Sequence, residues 1–175
     1  TNSAGSTSEE VSNHALSLLM ASARELKRLD LATTSGRWGE VYSRSILSPI
    51  YGETVGIVGF GWIGRAMARK CKALGMNVVV NDPYVGEHLA TEYGIEFVSK
   101  SELLERSDFV SLHVPHLDST HYYIDTAALE SMKPTAYLIN TARGPVVDEK
   151  ALIHALQNKQ IAGAGIDVYE EEPLS

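Results

Sequence analysis

Three glycines near the middle of the chain have the spacing G-x-G-x-x-G, at Gly59, Gly61 and Gly64. They follow an apolar run typical of a buried strand and precede a helical pattern. In that context the first glycine permits a tight turn, the second lets the backbone approach a pyrophosphate, and the third lets helix and strand pack closely. The N-terminus of the helix offers free N–H groups to phosphate oxygens. The spacing predicts a nucleotide-type site, although other strand-to-helix turns share it.

An acidic residue follows the glycines where a dinucleotide site places one. Asp82 stands 18 positions beyond Gly64, after the strand-like run 77–81. A carboxylate there accepts hydrogen bonds from ribose hydroxyls and repels a 2′-phosphate, which favours NAD over NADP. The alternative is that Asp82 and Pro83 form a simple turn after a strand. Position and context together favour the ribose-binding interpretation.

The elements that must position these residues alternate between strand and helix. Strands are predicted before Gly59 and at 77–81, 95–98, 108–114, 136–139 and 162–168, and helices at 62–74, 87–93, 102–106 (capped by Ser101) and from Asp148 to 157. This order predicts an α/β fold, a Rossmann-type doubly wound parallel sheet with helices on both faces. Ligands bind such sheets at the carboxyl ends of the strands. Segments 59–64, 113–116, 141–143 and 167–172, with Asp82, should therefore gather along one edge.

The N-terminal part of the chain precedes the first strand. Residues 1–8 are small and polar and lead to a predicted cap at Ser8, and 9–29 carry one apolar stripe that predicts a long amphipathic helix. Its apolar face needs a neighbouring helix or another subunit. Residues 32–49, with Trp38 and Tyr42, read as a long loop. The expected organisation is a linker and interlobe or dimer helix over 1–31, a long loop over 32–52, and a Rossmann core over 53–175.

Composition excludes several classes of protein. The net charge of −7 and pI near 5.3 argue against nucleic acid or a membrane surface as the main partner. No apolar run approaches the length of a membrane span, and no ligand spacing suggests a metal site. The single cysteine, Cys71, permits no intrachain disulfide and fits a reducing compartment, so we expect a cytoplasmic protein.

Four motifs in order carry a resemblance to a known family. They are Val55–Gly64, the segment from Ser107-Asp108 to His113-Val114-Pro115 and Thr120, Met132–Asp148, and Gly163–Pro173. Together they resemble the NAD-binding domain of the D-isomer-specific 2-hydroxyacid dehydrogenases over nearly all 175 residues. The resemblance implies NAD as cofactor, a 2-hydroxyacid or 2-ketoacid as substrate, and a homodimer.

The resemblance also implies roles for individual residues. Arg143 matches the arginine that binds the substrate's carboxylate and carbonyl, a task suited to a bidentate cation. Glu172 matches the carboxylate that pairs with a catalytic histidine and raises its pKa. Alternatively, Arg143 binds phosphate only, and Glu170–Glu172 form a solvated acidic turn. The implied cofactor-binding residues are Gly59, Gly61, Trp62, Ile63, Gly64, Asp82, Val114, Pro115, Thr120, Thr141, Ala142, Arg143 and Asp167.

None of the six histidines matches the family's acid/base histidine, which follows the glutamate shortly after the point where this chain ends. The resemblance gives His113 and His116 a structural or cofactor-adjacent place. His14, His88, His121 and His154 read as surface or packing residues. We therefore expect a fragment that lacks the second lobe and binds NAD with weak or no turnover.

Two other functions stay open at this stage. One is a non-catalytic NAD-sensing module, similar to a corepressor-like relative, against which Arg143 and Glu172 argue. The other is a methyltransferase-type use of the glycine loop, which the downstream motifs disfavour. The sequence does not identify the 2-hydroxyacid, and phosphite-type or formate-type substrates also remain possible.

Overall fold

The computed structural model describes residues 4–37, 49–86 and 88–174. These residues form a six-stranded parallel sheet in the order β3-β2-β1-β4-β5-β6. The strands are β1 (Thr54–Val58), β2 (Asn77–Asn81), β3 (Glu96–Phe97), β4 (Phe109–Leu112), β5 (Tyr137–Asn140) and β6 (Gly163–Ile166). The helices are α1 (Ala4–Ala23), α2 (Leu26–Thr34), α3 (Trp62–Ala73), α4 (His88–Tyr93), α5 (Lys100–Arg106), α6 (Thr126–Glu130) and α7 (Glu149–Gln157), with a 3₁₀ turn at Gly144–Val146. The predicted doubly wound α/β fold is confirmed.

The register of the sheet brings the ends of its strands together. Val58 of β1 pairs with Asn81 on one side and with Leu112 on the other. Leu112 pairs with Asn140, which in turn pairs with Ile166. The residues that follow these five strands therefore emerge along one side of the sheet, called the carboxyl edge below. The opposite side, where the strands begin, is called the amino edge.

Two apolar cores cover the two faces of the sheet. One includes Leu19 of α1, Met67 of α3 and Ile57 of β1, and the other includes Leu104 of α5 and Leu129 of α6. Strands β1 and β4 are buried along almost their whole length, as strands in a parallel sheet covered on both faces must be. The sheet is thus a rigid platform for the loops at its edges.

The N-terminal helix differs from the prediction of one helix over 9–29. Helix α1 begins at Ala4, so Ser8 lies inside it and does not cap it. The chain then breaks at Glu25, which has a left-handed φ of 47°, and continues as α2. Leu26 continues the apolar spacing but is 53% exposed. Spacing alone could not predict the break, because the packing that holds α1 in place ends at Ala23.

Other boundaries also differ from the predictions. The helix at Lys100 is capped by Ser99, whose Oγ accepts a hydrogen bond from Glu102 N at 3.2 Å, and not by Ser101. Helix α6, capped by Asp125, was not predicted at all. Strands β3, β4 and β6 are shorter than predicted, and the loop expected from residue 32 begins after α2. Glu87, Trp38 and Tyr42 lie outside the described residues.

Candidate functional site

The loop between β1 and α3 is built around its glycines. Gly59 has a φ of +90°, and a Cβ there would lie 2.7 Å from the carbonyl oxygen of His113. A Cβ on Gly64 would lie 2.1 Å from the carbonyl oxygen of Gly59. A Cβ on Gly61, by contrast, would meet no atom within 4 Å. Two of the glycines are therefore required by the fold itself, whereas Gly61 borders open space.

Phe60 anchors this loop in the core. Its side chain is fully buried and packs edge-on against Tyr93 and Phe97, with ring centroids 5.3 and 5.6 Å away. Its carbonyl oxygen accepts a hydrogen bond from Arg65 Nε at 3.0 Å. Trp62 at the start of α3 is 70% exposed. The core therefore holds the loop through Phe60, and the N-terminus of α3 stays accessible on the other side of the loop.

Asp82 follows β2 at the carboxyl edge and braces the same loop. Its Oδ2 accepts a hydrogen bond from Phe60 N at 2.7 Å, and its Oδ1 accepts one from Tyr84 N at 2.9 Å. The hydrogen bond from Tyr84 N closes a turn, which is the alternative interpretation of Asp82 and Pro83. The side chain is half-buried and also lines a cavity. Asp82 therefore forms a turn and can also face a ligand.

Two cavities lie on either side of the glycine loop. The first has a volume of about 270 Å³ and runs from Asp82 towards the loop after β4. The second has a volume of about 450 Å³ and runs from Trp62 and Ile63 to Arg143. Residues lining both are Gly61, His113, Val114 and Pro115. A ligand that fills both would cross the N-terminus of α3 at Gly61.

The end of β4 forms the floor between the cavities. The Nε2 atom of His113 lies 2.9 Å from Ser111 Oγ, and burial lowers the pKa of His113 to about 4. The imidazole is therefore neutral near pH 7. Thr120 lines the first cavity, but its hydroxyl donates to the carbonyl of Pro115 at 2.6 Å and accepts from Leu117 N at 2.8 Å. The hydroxyl thus shapes the 115–120 turn.

The segment after β5 is held by Asn140. Its Nδ2 donates to the carbonyl of Arg143 at 3.0 Å, and its Oδ1 accepts from Ala142 N at 3.0 Å. Between them, Thr141 is 8% exposed, and its Oγ1 is the one buried side-chain N or O atom of the described residues that lacks a hydrogen-bond partner. Thr141 lines the second cavity, so this oxygen is available to a ligand there.

Arg143 is exposed at the mouth of the second cavity. Its Nη1 donates to the carbonyl of Ala142 at 2.6 Å, and within the described part of the chain no carboxylate pairs with the guanidinium. The next residue, Gly144, is covered by the loop after β6, since a Cβ there would lie 1.9 Å from the carbonyl oxygen of Tyr169. Because no carboxylate of the described residues pairs with the guanidinium, its remaining N–H groups can bind an anionic ligand.

The acidic segment after β6 is only partly solvated. Glu170 accepts hydrogen bonds from Glu149 N at 2.8 Å and from the Tyr122 hydroxyl at 3.1 Å. Glu172 is exposed, and its Oε1 accepts from Tyr169 N at 2.9 Å. Glu170 therefore anchors this loop to α7, whereas Glu172 lies in a local turn near the chain end.

Helix α1 contributes residues to the site that sequence reasoning missed. Thr7 and Val11 line the second cavity, and His14 Nε2 lies 3.1 Å from Asp167 Oδ1. His14 is exposed, as the prediction of a surface or packing residue allows, and it also pairs with a residue of the predicted site. The spacing of these three residues, four and three positions, places them on one helix face, yet nothing in the sequence said what that face would meet.

Other features bear on the classes considered. His116 and His121 are exposed, with ring nitrogens 3.2 Å apart. Over residues 4–37, 49–86 and 88–174, no three His, Cys, Asp or Glu side chains are grouped so that they could hold a metal ion. No helix in the described part of the chain has the length and apolar character needed to cross a membrane.

The cavities fit a dinucleotide. A pyrophosphate requires free N–H groups and close backbone approach, which Gly61 and the start of α3 provide. The unpartnered Thr141 hydroxyl and the available Arg143 guanidinium supply polar contacts at the far end. Asp82 at the near end suits ribose hydroxyls.

Known proteins match the chain over nearly its whole length. The family model for the NAD binding domain of D-isomer specific 2-hydroxyacid dehydrogenases matches residues 16–175. Glyoxylate reductase of Korarchaeum cryptofilum (strain OPF8) is 44% identical, over 99% of this chain and 53% of that protein. Glyoxylate reductase of Thermococcus onnurineus (strain NA1) is 46% identical, over 89% of this chain and 48% of that protein.

Solved structures agree with this match. Apo D-mandelate dehydrogenase of Rhodotorula graminis superposes with a TM-score of 0.90 at 36% identity, over 99% of this chain and 52% of that one. D-lactate dehydrogenase of Sporolactobacillus sp. superposes with a TM-score of 0.85 at 43% identity, over 94% of this chain and 48% of that one. The chain spans about half the length of the curated relatives it matches. It therefore belongs to the D-isomer specific 2-hydroxyacid dehydrogenase family, whose NAD-binding domain it carries.

Proposed function

We propose that this chain binds NAD(H) across the two cavities of the carboxyl edge and serves a dehydrogenase that interconverts a small 2-ketoacid and a D-2-hydroxyacid. The observation that carries the proposal is the second cavity, where the N-terminus of α3 and the Arg143 guanidinium face a common space. When bound, NAD(H) supplies the hydride for this reaction. The chain's own residues bind, orient and polarise.

Each end of the site has a proposed task. Asp82 holds the adenosine ribose, and the backbone at Gly61, Trp62 and Ile63 holds the pyrophosphate. Gly59 and Gly64 shape that loop, and Val114, Pro115 and Thr120 form the floor. Thr141, Ala142 and Asp167 border the nicotinamide.

Two charged residues have proposed roles towards the substrate. Arg143 binds the substrate carboxylate, because a planar cation with several N–H donors matches two oxygens at once. Glu172 pairs with an acid/base histidine and favours its protonated form. The expectation that the 175-residue chain binds NAD(H) without efficient turnover stays a prediction.

Cofactor binding tests the first half of the proposal. Titration of the 175-residue chain with NADH should quench tryptophan fluorescence, since Trp62 is exposed beside the cavity. NADPH should bind at least about tenfold more weakly, because Asp82 repels a 2′-phosphate. The variant Asp82→Ala should bring the affinities for NADH and NADPH closer together. Equal binding of NADH and NADPH by the unaltered chain would contradict the role given to Asp82.

Substrate turnover tests the second half. The protein in its native length should oxidise NADH with a panel of 2-ketoacids that includes glyoxylate and pyruvate, and chiral products should have the D configuration. The panel is guided by the relatives named glyoxylate reductase and D-lactate dehydrogenase. Tight NADH binding without turnover of any 2-ketoacid would instead indicate the NAD-sensing module.

A homodimer and a cytoplasmic location complete the proposal. The exposed apolar side chains Leu26 and Leu31 on α2 support a subunit contact. Light scattering of the protein in its native length should give twice the monomer mass. A monomeric mass at micromolar concentration would exclude the dimer.

A further inference from the structure

Asp167 emerges at the carboxyl edge in a fixed backbone position. It follows β6, and its backbone N donates to the carbonyl of Asn140 at 3.0 Å, which places it beside the segment that carries Thr141. Its carboxylate is 47% exposed, and Oδ1 is paired with His14 Nε2 at 3.1 Å. Among the described residues, none forms a hydrogen bond with the second oxygen, Oδ2. One oxygen is thus held from the protein side and the other is available.

The helix that supplies His14 is rigidly placed. Glu9 of α1 forms ion pairs with Arg69 and Lys70 of α3, at 2.5 and 2.9 Å. Lys70 Nζ also donates to Ser12 Oγ at 2.5 Å. These bonds tie the turns of α1 just before His14 to the helix that follows the glycine loop.

The same helix lies directly against β6. A Cβ on Gly165 would be 3.0 Å from Leu18 Cβ, so the missing side chain lets α1 approach the last strand. His14 lies one helical turn before Leu18, so it reaches the end of that strand. The contact between His14 and Asp167 therefore joins two elements whose relative position is set by packing elsewhere.

Stability is a weak reason for this pair. Both side chains are about half exposed, and such ion pairs contribute little to the free energy of unfolding. A fixed orientation of one carboxylate is a stronger consequence, since a site must hold its polar groups in place before the ligand arrives. In the proposed function, the part of the cofactor that Asp167 borders is the nicotinamide half.

We propose that His14 is a positioning residue that holds the Asp167 carboxylate towards the nicotinamide half of NAD(H), which makes helix α1 part of the cofactor site. This inference rests on the proposed function. A residue of the first helix then affects the binding of the nicotinamide half of the cofactor and not that of the ADP-ribose half.

Comparison of NADH with ADP-ribose, which lacks the nicotinamide, tests the proposal on the 175-residue chain. The variant His14→Ala should weaken NADH binding about three- to tenfold and leave ADP-ribose binding within about twofold. His14→Gln keeps an N–H donor and should restore most of the NADH affinity. The exposed neighbour Ser17→Ala on the same helix should change neither affinity.

A double-variant cycle locates the effect. Asp167→Ala should reproduce the loss for NADH, and adding His14→Ala should weaken binding no further, since His14 acts through Asp167. Equal losses for NADH and ADP-ribose, or unchanged binding of both, would overturn the role of His14 while the proposed function stands. Failure of the unaltered chain to bind NADH would instead contradict the proposed function itself.

Discussion

The two edges of the sheet treat their polar groups in opposite ways. At the amino edge, Asp108 accepts hydrogen bonds from Thr54 N at 2.9 Å and from Lys133 Nζ at 2.7 Å, and its carboxylate is hydrogen-bonded to Glu53. At the carboxyl edge, the Thr141 hydroxyl has no partner within the described residues, and the Arg143 guanidinium is joined only to its neighbour's carbonyl there. Both edges are made of the same strands. The difference is that these groups of the amino edge are satisfied within the protein, whereas Thr141 and Arg143 at the carboxyl edge keep hydrogen-bonding capacity for a ligand.

This difference separates what supports the fold from what supports binding. A buried polar atom without a partner costs free energy, so an unpartnered one at a cavity indicates a ligand. Substitutions at the amino edge should therefore change stability and not NADH affinity. Those at the open positions of the carboxyl edge should do the reverse.

The glycine pair should separate stability from binding, one effect in each variant. Gly64→Ala should lower the free energy of unfolding by about 1–3 kcal/mol, because its Cβ would overlap the carbonyl oxygen of Gly59. Gly61→Ala should fold normally, since its Cβ meets nothing within 4 Å, yet weaken NADH binding about tenfold or more. Urea unfolding and NADH titration of both variants measure the two effects. A stable Gly64→Ala or a tightly binding Gly61→Ala would break the distinction.

Arg143 should affect turnover more than stability. In the protein of native length, Arg143→Ala should lower kcat/KM for a 2-ketoacid by about 100-fold or more, as expected when a charged hydrogen-bond partner of the substrate is lost. Arg143→Lys keeps the charge without the bidentate geometry and should recover only part of that loss. Tm should change little, because the guanidinium supports no other described element. A large fall in Tm would show that Arg143 has a structural task.

Two threonines with the same side chain give a matched test. Thr141→Val should leave the free energy of unfolding unchanged or raise it by up to about 1 kcal/mol, because it removes an unpartnered hydroxyl. It should weaken NADH binding about three- to tenfold. Thr120→Val breaks hydrogen bonds within its turn and should destabilise the fold by about 1–2 kcal/mol. Destabilisation by Thr141→Val would mean that its hydroxyl serves the fold.

The smallest effect is expected from pH at the amino edge. The hydrogen bond to Asp108, assisted by burial, raises the pKa of Glu53 from 4.5 to about 7. The folded state therefore binds this proton more tightly than the unfolded state. Its stabilisation is complete below the unfolded value and is lost as the pH rises through about 7.

Thermal unfolding at about pH 6 and about pH 8.5 measures this loss. The variant Glu53→Gln keeps an N–H donor but does not titrate, so its Tm should fall less over the same interval. NADH affinity should be the same in both proteins, because Glu53 lies at the edge away from the cavities. An identical pH dependence of Tm in the two proteins would mean that Glu53 is not protonated in the fold.

Local patterns predicted the sheet and the general place of the site. The runs before Gly59 and at 77–81 are apolar and bounded by turns, which is a short-range signal. The spacing of the glycines predicted the loop, and the positions of the strand ends predicted that the site lies at the carboxyl edge. The break at Glu25 and the missed helix α6 depend on what each segment packs against, and no local pattern carries that information.

The sequence by itself determined the fold class and the glycine loop, because these depend on residue types and short spacings. Its resemblance to a known family named most of the candidate site residues, which extend from Gly59 to Glu172. Only the tertiary structure decided which polar groups stay unpartnered and which face of α1 meets the site. The Thr141 hydroxyl and the contact between His14 and Asp167 exist because distant segments pack together. Residues 14 and 167 are far apart in the chain, so their proximity follows from the packing of α1 on β6 and from no pattern in either segment.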